Sequence, residues 1–461
     1  MSDTIKENLS KIKELNKDVY DILIHDKLEF DRLTRFKKGI KQLLRKYKAG
    51  GLRAVFNNLS SKKVINKINS RPVLSGVELS DKKKILYITI TPSFNLLRQS
   101  IYIRKNGNYE TILLMENPWL LKLMEKHFDT VYIYDTYYEL ANILKEIKPY
   151  IIHVQGAMLG SDFLCIFAKL LGETKFVFEF YDIPSLCASK EDSINAWGGK
   201  NTELGFFSEQ YACENADGII LGYSKEAADI LKKRYHIKAP MLEFHSYVCN
   251  EFVANGNNIK YSQEDEKIHL VYGGTVTTSI LPKKIFGYEF LDLVKEITKQ
   301  GICFDIYTTP HTSPIKFEML FSDYITFSKE NKFFRFMEGL FLDEAARAFS
   351  RYDFGIIAYI FNQEIFSDVS NKTRLPAKFF LFLEAGLPII LSEEFEYGSK
   401  LVREYEIGIV VSQKDMYNLS KIIPTYDYEK LRKNVMAARK ELSMEAHIDR
   451  LLDFYEDIKK S

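Results

Sequence analysis

Three groups of residues in this sequence have types and positions suited to phosphate and proton chemistry. The apolar run His269-Leu-Val-Tyr-Gly-Gly-Thr275 ends in Gly273-Gly274, where bare backbone N–H groups can approach a phosphate closely and Thr275 can add a hydroxyl donor. An ordinary tight turn is the alternative reading of those glycines. Lys378 opens an apolar stretch of helical character, so its ammonium and the helix dipole would act on the same anion; Asn371 and Arg374 lie just before it on a loop. A solvated lysine at a helix start is the plainer reading. Asp182 follows the apolar strand Lys175–Phe180, and a carboxylate there can serve as general base towards a hydroxyl or simply fix the loop. Glu179 lies two residues before Tyr181, on the same side under strand alternation. The adjacent Lys283 and Lys284 fit a solvated face better than a phosphate site.

Other chemistries find less support. The five cysteines, Cys165, Cys187, Cys213, Cys249 and Cys303, are scattered without a Cys-x-x-Cys pair, which argues against a zinc knuckle or a disulfide framework and for a reducing cytoplasm. No Asp-x-Asp motif is present, so a metal-held diphosphate is not expected and no cofactor is predicted. No apolar run reaches the roughly 18–20 residues that span a bilayer, and the charged N-terminus lacks a signal-peptide core.

Positioning these residues requires a framework, and the sequence supplies alternating strands and helices. Short β-rich runs at 85–90, 110–115, 130–134, 151–155, 175–180 and 218–221 are separated by helical stretches such as 138–147, 160–171 and 225–235, with Ser224 placed to cap the last. A polar stretch, 255–266, reads as a linker. The alternation then resumes with strands at 269–272, 303–307, 354–359, 388–391 and 407–411. Such alternation implies parallel sheets covered on both faces. The expected organisation is a basic helical extension (1–80), two doubly wound α/β domains (81–254 and 255–427) and a helical tail (428–461). Hydrophobic residues at 46% and charged residues at 27% agree with a folded globular chain.

Charge is uneven. Residues 32–67 carry 12 Lys/Arg and no Asp/Glu, which leaves 52 basic and 62 acidic residues elsewhere. The apolar positions Leu33, Phe36, Ile40, Leu43, Leu44 and Tyr47 fall about one helical turn apart among these cations, the composition of a helix at an anionic membrane surface. Docking on an acidic protein, or packing on the chain's own acidic body, are the alternatives. Nucleic acid is not expected, because interleaved stacking aromatics are missing.

The segment Leu375-Pro-Ala-Lys-Phe-Phe-Leu-Phe-Leu-Glu-Ala-Gly-Leu-Pro-Ile-Ile390 resembles the hallmark of GT-B glycosyltransferases: Pro-x-Lys, an aromatic helix, then Ala-Gly-x-Pro and a buried strand. Supporting pieces occur in the family's order: Lys148-Pro-Tyr-Ile-Ile-His-Val154, Phe178-Glu-Phe-Tyr-Asp-Ile-Pro184, Glu214-Asn-Ala-Asp-Gly-Ile-Ile220 with Ser224, and Arg351-Tyr-Asp-Phe-Gly-Ile-Ile357. The resemblance runs from about Lys84 to Val411. It implies two facing Rossmann-like domains with a sugar nucleotide between them. The donor would be held by Gly273, Gly274, Thr275, Asn371, Arg374 and Lys378. Two departures stand out. The family's Glu-x7-Glu pair is replaced by Thr373 and Leu381, which leaves Glu384 as a substitute, and its His-Asp loop reads Tyr181-Asp182. Asp182 and Glu179 are then the catalytic candidates, His153 reads as a core or cleft histidine, Arg98 is within reach of acceptor or phosphate, and His245 is unassigned.

The resemblance implies transfer of a sugar from a nucleotide donor to a hydroxyl acceptor (glycan, lipid-linked glycan or protein) in bacterial surface glycoconjugate synthesis. Such an enzyme would be cytoplasmic, with peripheral membrane contact through residues 32–67. Two rival readings are a non-catalytic subunit of the same fold that recognises a glycoprotein or stabilises a partner enzyme, and a sugar-nucleotide epimerase.

Overall fold

The computed structural model describes residues 10–21, 81–134, 140, 143–144, 146–156, 163–171, 174–254, 258–277, 289–309, 314–358 and 368–461. The basic segment 32–67 and the pair Lys283 and Lys284 lie outside the described residues.

Two parallel sheets organise the chain. The first contains β1 (Lys83–Thr89), β2 (Tyr109–Met115), β3 (Thr130–Ile133), β4 (Ile151–Gly156), β5 (Phe176–Phe180), β6 (Gly218–Leu221) and β7 (Met241–Glu243), in the order β3-β2-β1-β4-β5-β6-β7. The second contains β8 (His269–Gly273), β9 (Cys303–Tyr307), β10 (Phe334–Met337), β11 (Phe354–Ile357), β12 (Ile389–Ser392) and β13 (Gly408–Val411), in the order β10-β9-β8-β11-β12-β13. Strands such as β1, β2 and β8 are apolar along most of their length because helices cover both faces, so inward and outward residues alike are buried. Each sheet reverses its order once, between β1 and β4 and between β8 and β11. In open α/β sheets a crevice forms at that point beyond the carboxyl ends of the strands.

The strands expected from the sequence are present within a residue or two. Two more, β7 and β10, were not anticipated: at three and four residues they are too short to show alternation. The polar stretch read as a linker contains a short helix, Tyr261–Asp265, with Lys260 buried beside it. Ser224 stands at the N-terminus of helix Lys225–Arg234, but its side chain makes no capping hydrogen bond. Its N–H instead donates to the Thr373 carbonyl of the other half at 2.7 Å.

Five helices matter for the site and its hinge: α1 (Phe94–Asn106), α2 (Leu342–Phe349), α3 (Lys378–Ala385), α4 (Tyr428–Glu441) and α5 (Met444–Lys460). Ser93 caps α1, its hydroxyl accepting from the Asn95 and Leu96 amides. Helix α3 ends at Gly386, whose φ of 73° is the left-handed conformation that a helix-terminating glycine adopts without strain. The predicted tail divides between the halves. Helix α4 packs on α3, whereas α5 returns to the first half, where Glu456 accepts from Lys83, Tyr109 and Tyr150 at 2.6, 2.7 and 2.9 Å.

A buried ion pair joins the halves. Arg98 on α1 meets Glu384 on α3 through Nε–Oε1 and Nη2–Oε1 contacts of 3.0 Å and an Nη2–Oε2 contact of 2.8 Å, with the two side chains 2% and 0% exposed. The Cys249 amide also donates to Glu384 Oε1 at 2.9 Å. Removing one partner strands the other charge out of water. Arg98→Ala is therefore expected to cost about 3–5 kcal/mol, read as a lower thermal midpoint, with much of the loss recovered in Arg98→Met/Glu384→Leu. A single variant as stable as the parent would show that the pair does not hold the interface.

Candidate functional site

Between the two sheets lies a cavity of ≈ 280 Å³ whose wall comes from both halves. The first half contributes Asn95, Glu179 to Asp182, Gly222, Tyr223, His245 and Ser246; the second contributes Thr275 and the segment Arg374 to Lys378. Arg374 is brought there by an antiparallel bridge to Tyr223, so its backbone is pinned to the opposite half.

The second-half residues read above as phosphate ligands do not all share one role. Gly274 follows β8 with φ 139°, and its amide is held by the Tyr307 carbonyl at 2.8 Å. A Cβ on Gly274 would sit 2.8 Å from Lys378 Cε and 3.2 Å from Nζ, so this glycine is what lets the lysine lie against the loop. The ammonium also stands 5.0 Å from the centroid of the Tyr272 ring, and the Tyr272 hydroxyl donates to the Thr275 carbonyl at 2.8 Å. Lys378 occupies the first turn of α3, so cation and helix dipole point into one space. Gly273 serves packing instead: it is buried, and a Cβ there would lie 2.8 Å from the Phe349 ring of α2.

Other expected residues are placed differently. Asn371 is buried in the short helix Asp368–Thr373, which packs on the first half, and is not part of the cavity wall. Glu384 and Arg98 bind each other away from the cavity. Each consumes the other's charge, so neither is available to a donor or an acceptor. Thr373, where a carboxylate was expected, is 1% exposed and donates to the Val369 carbonyl.

On the first half, Glu179 and Asp182 take different parts. Glu179 is 1% exposed and accepts from Asn95 Nδ2 at 2.5 Å and Gln155 Nε2 at 3.0 Å on Oε1, and from Gln99 Nε2 at 2.8 Å on Oε2. His153 Nε2 lies 2.9 Å from Oε2, off the line of a full hydrogen bond, and its Nδ1 pairs with the Tyr455 hydroxyl at 2.6 Å. Burial alone would raise the Glu179 pKa, but the His153 ring with Gln99 and Asn95 holds it below the ordinary value. It is an anchored anion that orders the cavity floor. Asp182 has the opposite character: burial raises its pKa, and Arg374 opposes that rise only in part. A carboxylate with raised pKa in a cavity wall suits proton transfer.

His245, left unassigned above, is in the cavity wall with Nε2 3.1 Å from Glu243 Oε1 and 3.0 Å from the Tyr397 hydroxyl. Asn95 is likewise new to the site, and its Oδ1 has no hydrogen-bond partner among the described residues. Neither role was legible in the chain, because Asn95 is tied to Glu179, 84 positions away, and His245 to Tyr397, 152 positions away. Asp265, His269 and Cys303 place ligand atoms within 4.8 Å of one another, but at the opposite, entry end of β8 and β9, and Lys267 already pairs with Asp265.

Comparison with known proteins agrees with this arrangement. The profile of the glucosyltransferase 3-like C-terminal domain matches residues 306–453. Sucrose-phosphate synthase from Thermosynechococcus elongatus superimposes with a TM-score of 0.56 at 11% identity, covering 82% of this chain and 99% of that one. Anabaena HepE in complex with UDP-glucose gives 0.55 at 13% identity, with coverages of 80% and 99%. S. aureus MnaA with UDP gives 0.50 at 12%, with coverages of 82% and 98%. No curated protein matches the chain in sequence. At these identities the likeness establishes the fold: two Rossmann-like domains facing each other in the GT-B arrangement. No described helix is long and apolar enough to cross a membrane.

The anchored state of Glu179 has a pH signature. With its folded pKa depressed, it stabilises the protein above the ordinary glutamate pKa of about 4.3, and this is lost as pH falls through the lower folded value. Glu179→Gln is expected to lower the thermal midpoint at pH 7, and the gap to the parent should narrow once the pH drops below about 4. A gap that is constant with pH would mean the carboxylate charge is not what matters.

Proposed function

We propose that the protein is a glycosyltransferase that moves a sugar from a nucleoside-diphosphate donor to a hydroxyl acceptor. One observation carries this reading: Gly274 lets Lys378 lie against the loop after β8, at the switch point of the second sheet, and Lys378, Thr275 and Asp182 of the first half line one cavity. Both kinds of site are needed at once for glycosyl transfer, and either alone would fit many other activities. The profile match over residues 306–453 supports the same reading, as does the fold shared with a structure holding UDP-glucose.

In this reading the donor diphosphate rests on the Thr275 backbone, beside Gly274, and on the N-terminus of α3. Lys378 and Arg374 neutralise the charge that grows on the departing phosphate. No metal is required in this scheme, since two side-chain cations and a helix dipole supply the stabilisation. The acceptor hydroxyl approaches from the first half and gives its proton to Asp182, whose pKa, raised by burial, makes its carboxylate a stronger base than that of an ordinary aspartate. Glu179, through Asn95 and Gln155, keeps the floor of the cavity in place. The five buried cysteines fit a reducing compartment. A glycan, lipid-linked glycan or protein acceptor is compatible with the open first-half wall, where Tyr181 is 41% exposed.

The non-catalytic alternative has one observation in its favour: Glu384 is spent on Arg98, so the carboxylate missing from the donor side is not replaced there. Binding separates the two readings. In a thermal-shift panel of UDP-, GDP-, dTDP- and CMP-linked sugars, one nucleotide class is expected to stabilise the parent, and Lys378→Ala should weaken that binding by about 10- to 100-fold, the loss of one charge-assisted contact. Asp182→Asn should retain the donor but lose at least about 100-fold in turnover. The parent's activity should fall on the acid side at a pH above that of an ordinary aspartate. No shift with any donor would overturn the enzyme reading.

A further inference from the structure

A second cavity, of ≈ 390 Å³, opens in the C-terminal half away from the cleft. Its wall includes Lys260, Arg432 and Arg439, with Asn258, Gln263 and Ser350 as neutral polar neighbours, and no acidic residue is among its described lining residues. Three cations from two chain segments therefore converge on one space with no carboxylate in its wall.

Two of the three, Lys260 and Arg439, are held by neutral carbonyls that leave their charge uncancelled. Lys260 is 6% exposed and donates to the Tyr352 carbonyl at 2.5 Å, a neutral partner that does not cancel its charge. Burial first, then Arg432, drives its pKa down to about 8, against the weaker pulls of Asp353 and Glu429. Arg439, also buried, gives Nε to the Leu383 carbonyl at 2.9 Å and Nη2 to the Glu384 carbonyl at 3.2 Å, again neutral acceptors. Among the described residues Arg432 pairs with Glu429, one helical turn away at 3.6 Å and largely exposed. Mutual repulsion among these groups is a cost that a bound anion would remove.

We infer that this cavity is a binding site for a small phosphate-bearing anion, distinct from the cleft. Phosphate chemistry suits it because two guanidinium groups and an ammonium offer forked and point donors together. A cavity larger than the cleft space holds more than inorganic phosphate alone and has room for a phosphorylated sugar or similar ester. The site also has a mechanical link to the cleft. Arg439 secures the last carbonyls of α3, and the other end of that helix carries Lys378. The inference does not depend on the glycosyl-transfer reading.

The full-length chain is titrated with inorganic phosphate and with a hexose phosphate at constant ionic strength set by sodium chloride, following the thermal midpoint and the heat of binding. Saturable binding is expected that Arg432→Gln, a substitution on an exposed part of α4, weakens by about tenfold or more and that Lys378→Ala leaves intact. Tighter binding of the ester identifies an organic phosphate as the ligand, and equal binding identifies free phosphate; both support the site. An effect no greater than that of chloride, one insensitive to Arg432→Gln, or one lost in Lys378→Ala would overturn it. The last outcome would place the anion in the cleft and leave the donor site standing.

Discussion

The arrangement depends on a single helix carrying charge business at both ends. Helix α3 begins with Lys378 facing the cleft and finishes with Glu384 clamped to Arg98 of the opposite half. Taking that pair out of water is expensive, and the Coulomb attraction repays it only when the geometry is good and the remaining lone pairs are filled. Both conditions hold, with a bidentate guanidinium and the Cys249 amide on the same carboxylate. The pair need not add net stability to be useful. It defines how α1 and α3 meet, and therefore how far Lys378 stands from the first-half wall that bears Asp182.

Further ties reinforce that registration. Helix α5 returns to the first half and anchors through Glu456 and Tyr455, so the chain crosses between the halves twice. The Tyr223–Arg374 bridge and the Ser224–Thr373 hydrogen bond join the halves directly at the cavity rim. A cleft braced in this way keeps its cations and its carboxylates at fixed separation. That is the condition under which preorganised charge stabilises a transition state without reorganisation at the moment of reaction.

Much of this was legible in the sequence because parallel sheets write themselves as separated apolar runs. Gly274 and Lys378 could be picked out singly, one for its lack of a side chain after a strand and the other for its place before an apolar helix. Asp182 was found in the same way. What local reading could not supply was pairing at long range. Arg98 and Glu384 each look like site residues, and only their meeting across 286 positions reveals them as a clamp between the halves. Glu179 looks like a base until Asn95, Gln99 and Gln155 arrive from other elements to fix it. The short strands β7 and β10 escaped for a simpler reason: three or four residues cannot display a period.

A crystal structure of the protein with the nucleoside diphosphate that stabilises it most would test the central claim most directly. The account places a phosphate oxygen at hydrogen-bond distance, about 2.7–3.2 Å, from the Thr275 amide, with the Lys378 ammonium on the same group and Asp182 facing it across the cavity. A nucleotide whose phosphates lie clear of both Thr275 and Lys378, in the cleft or elsewhere, would contradict it.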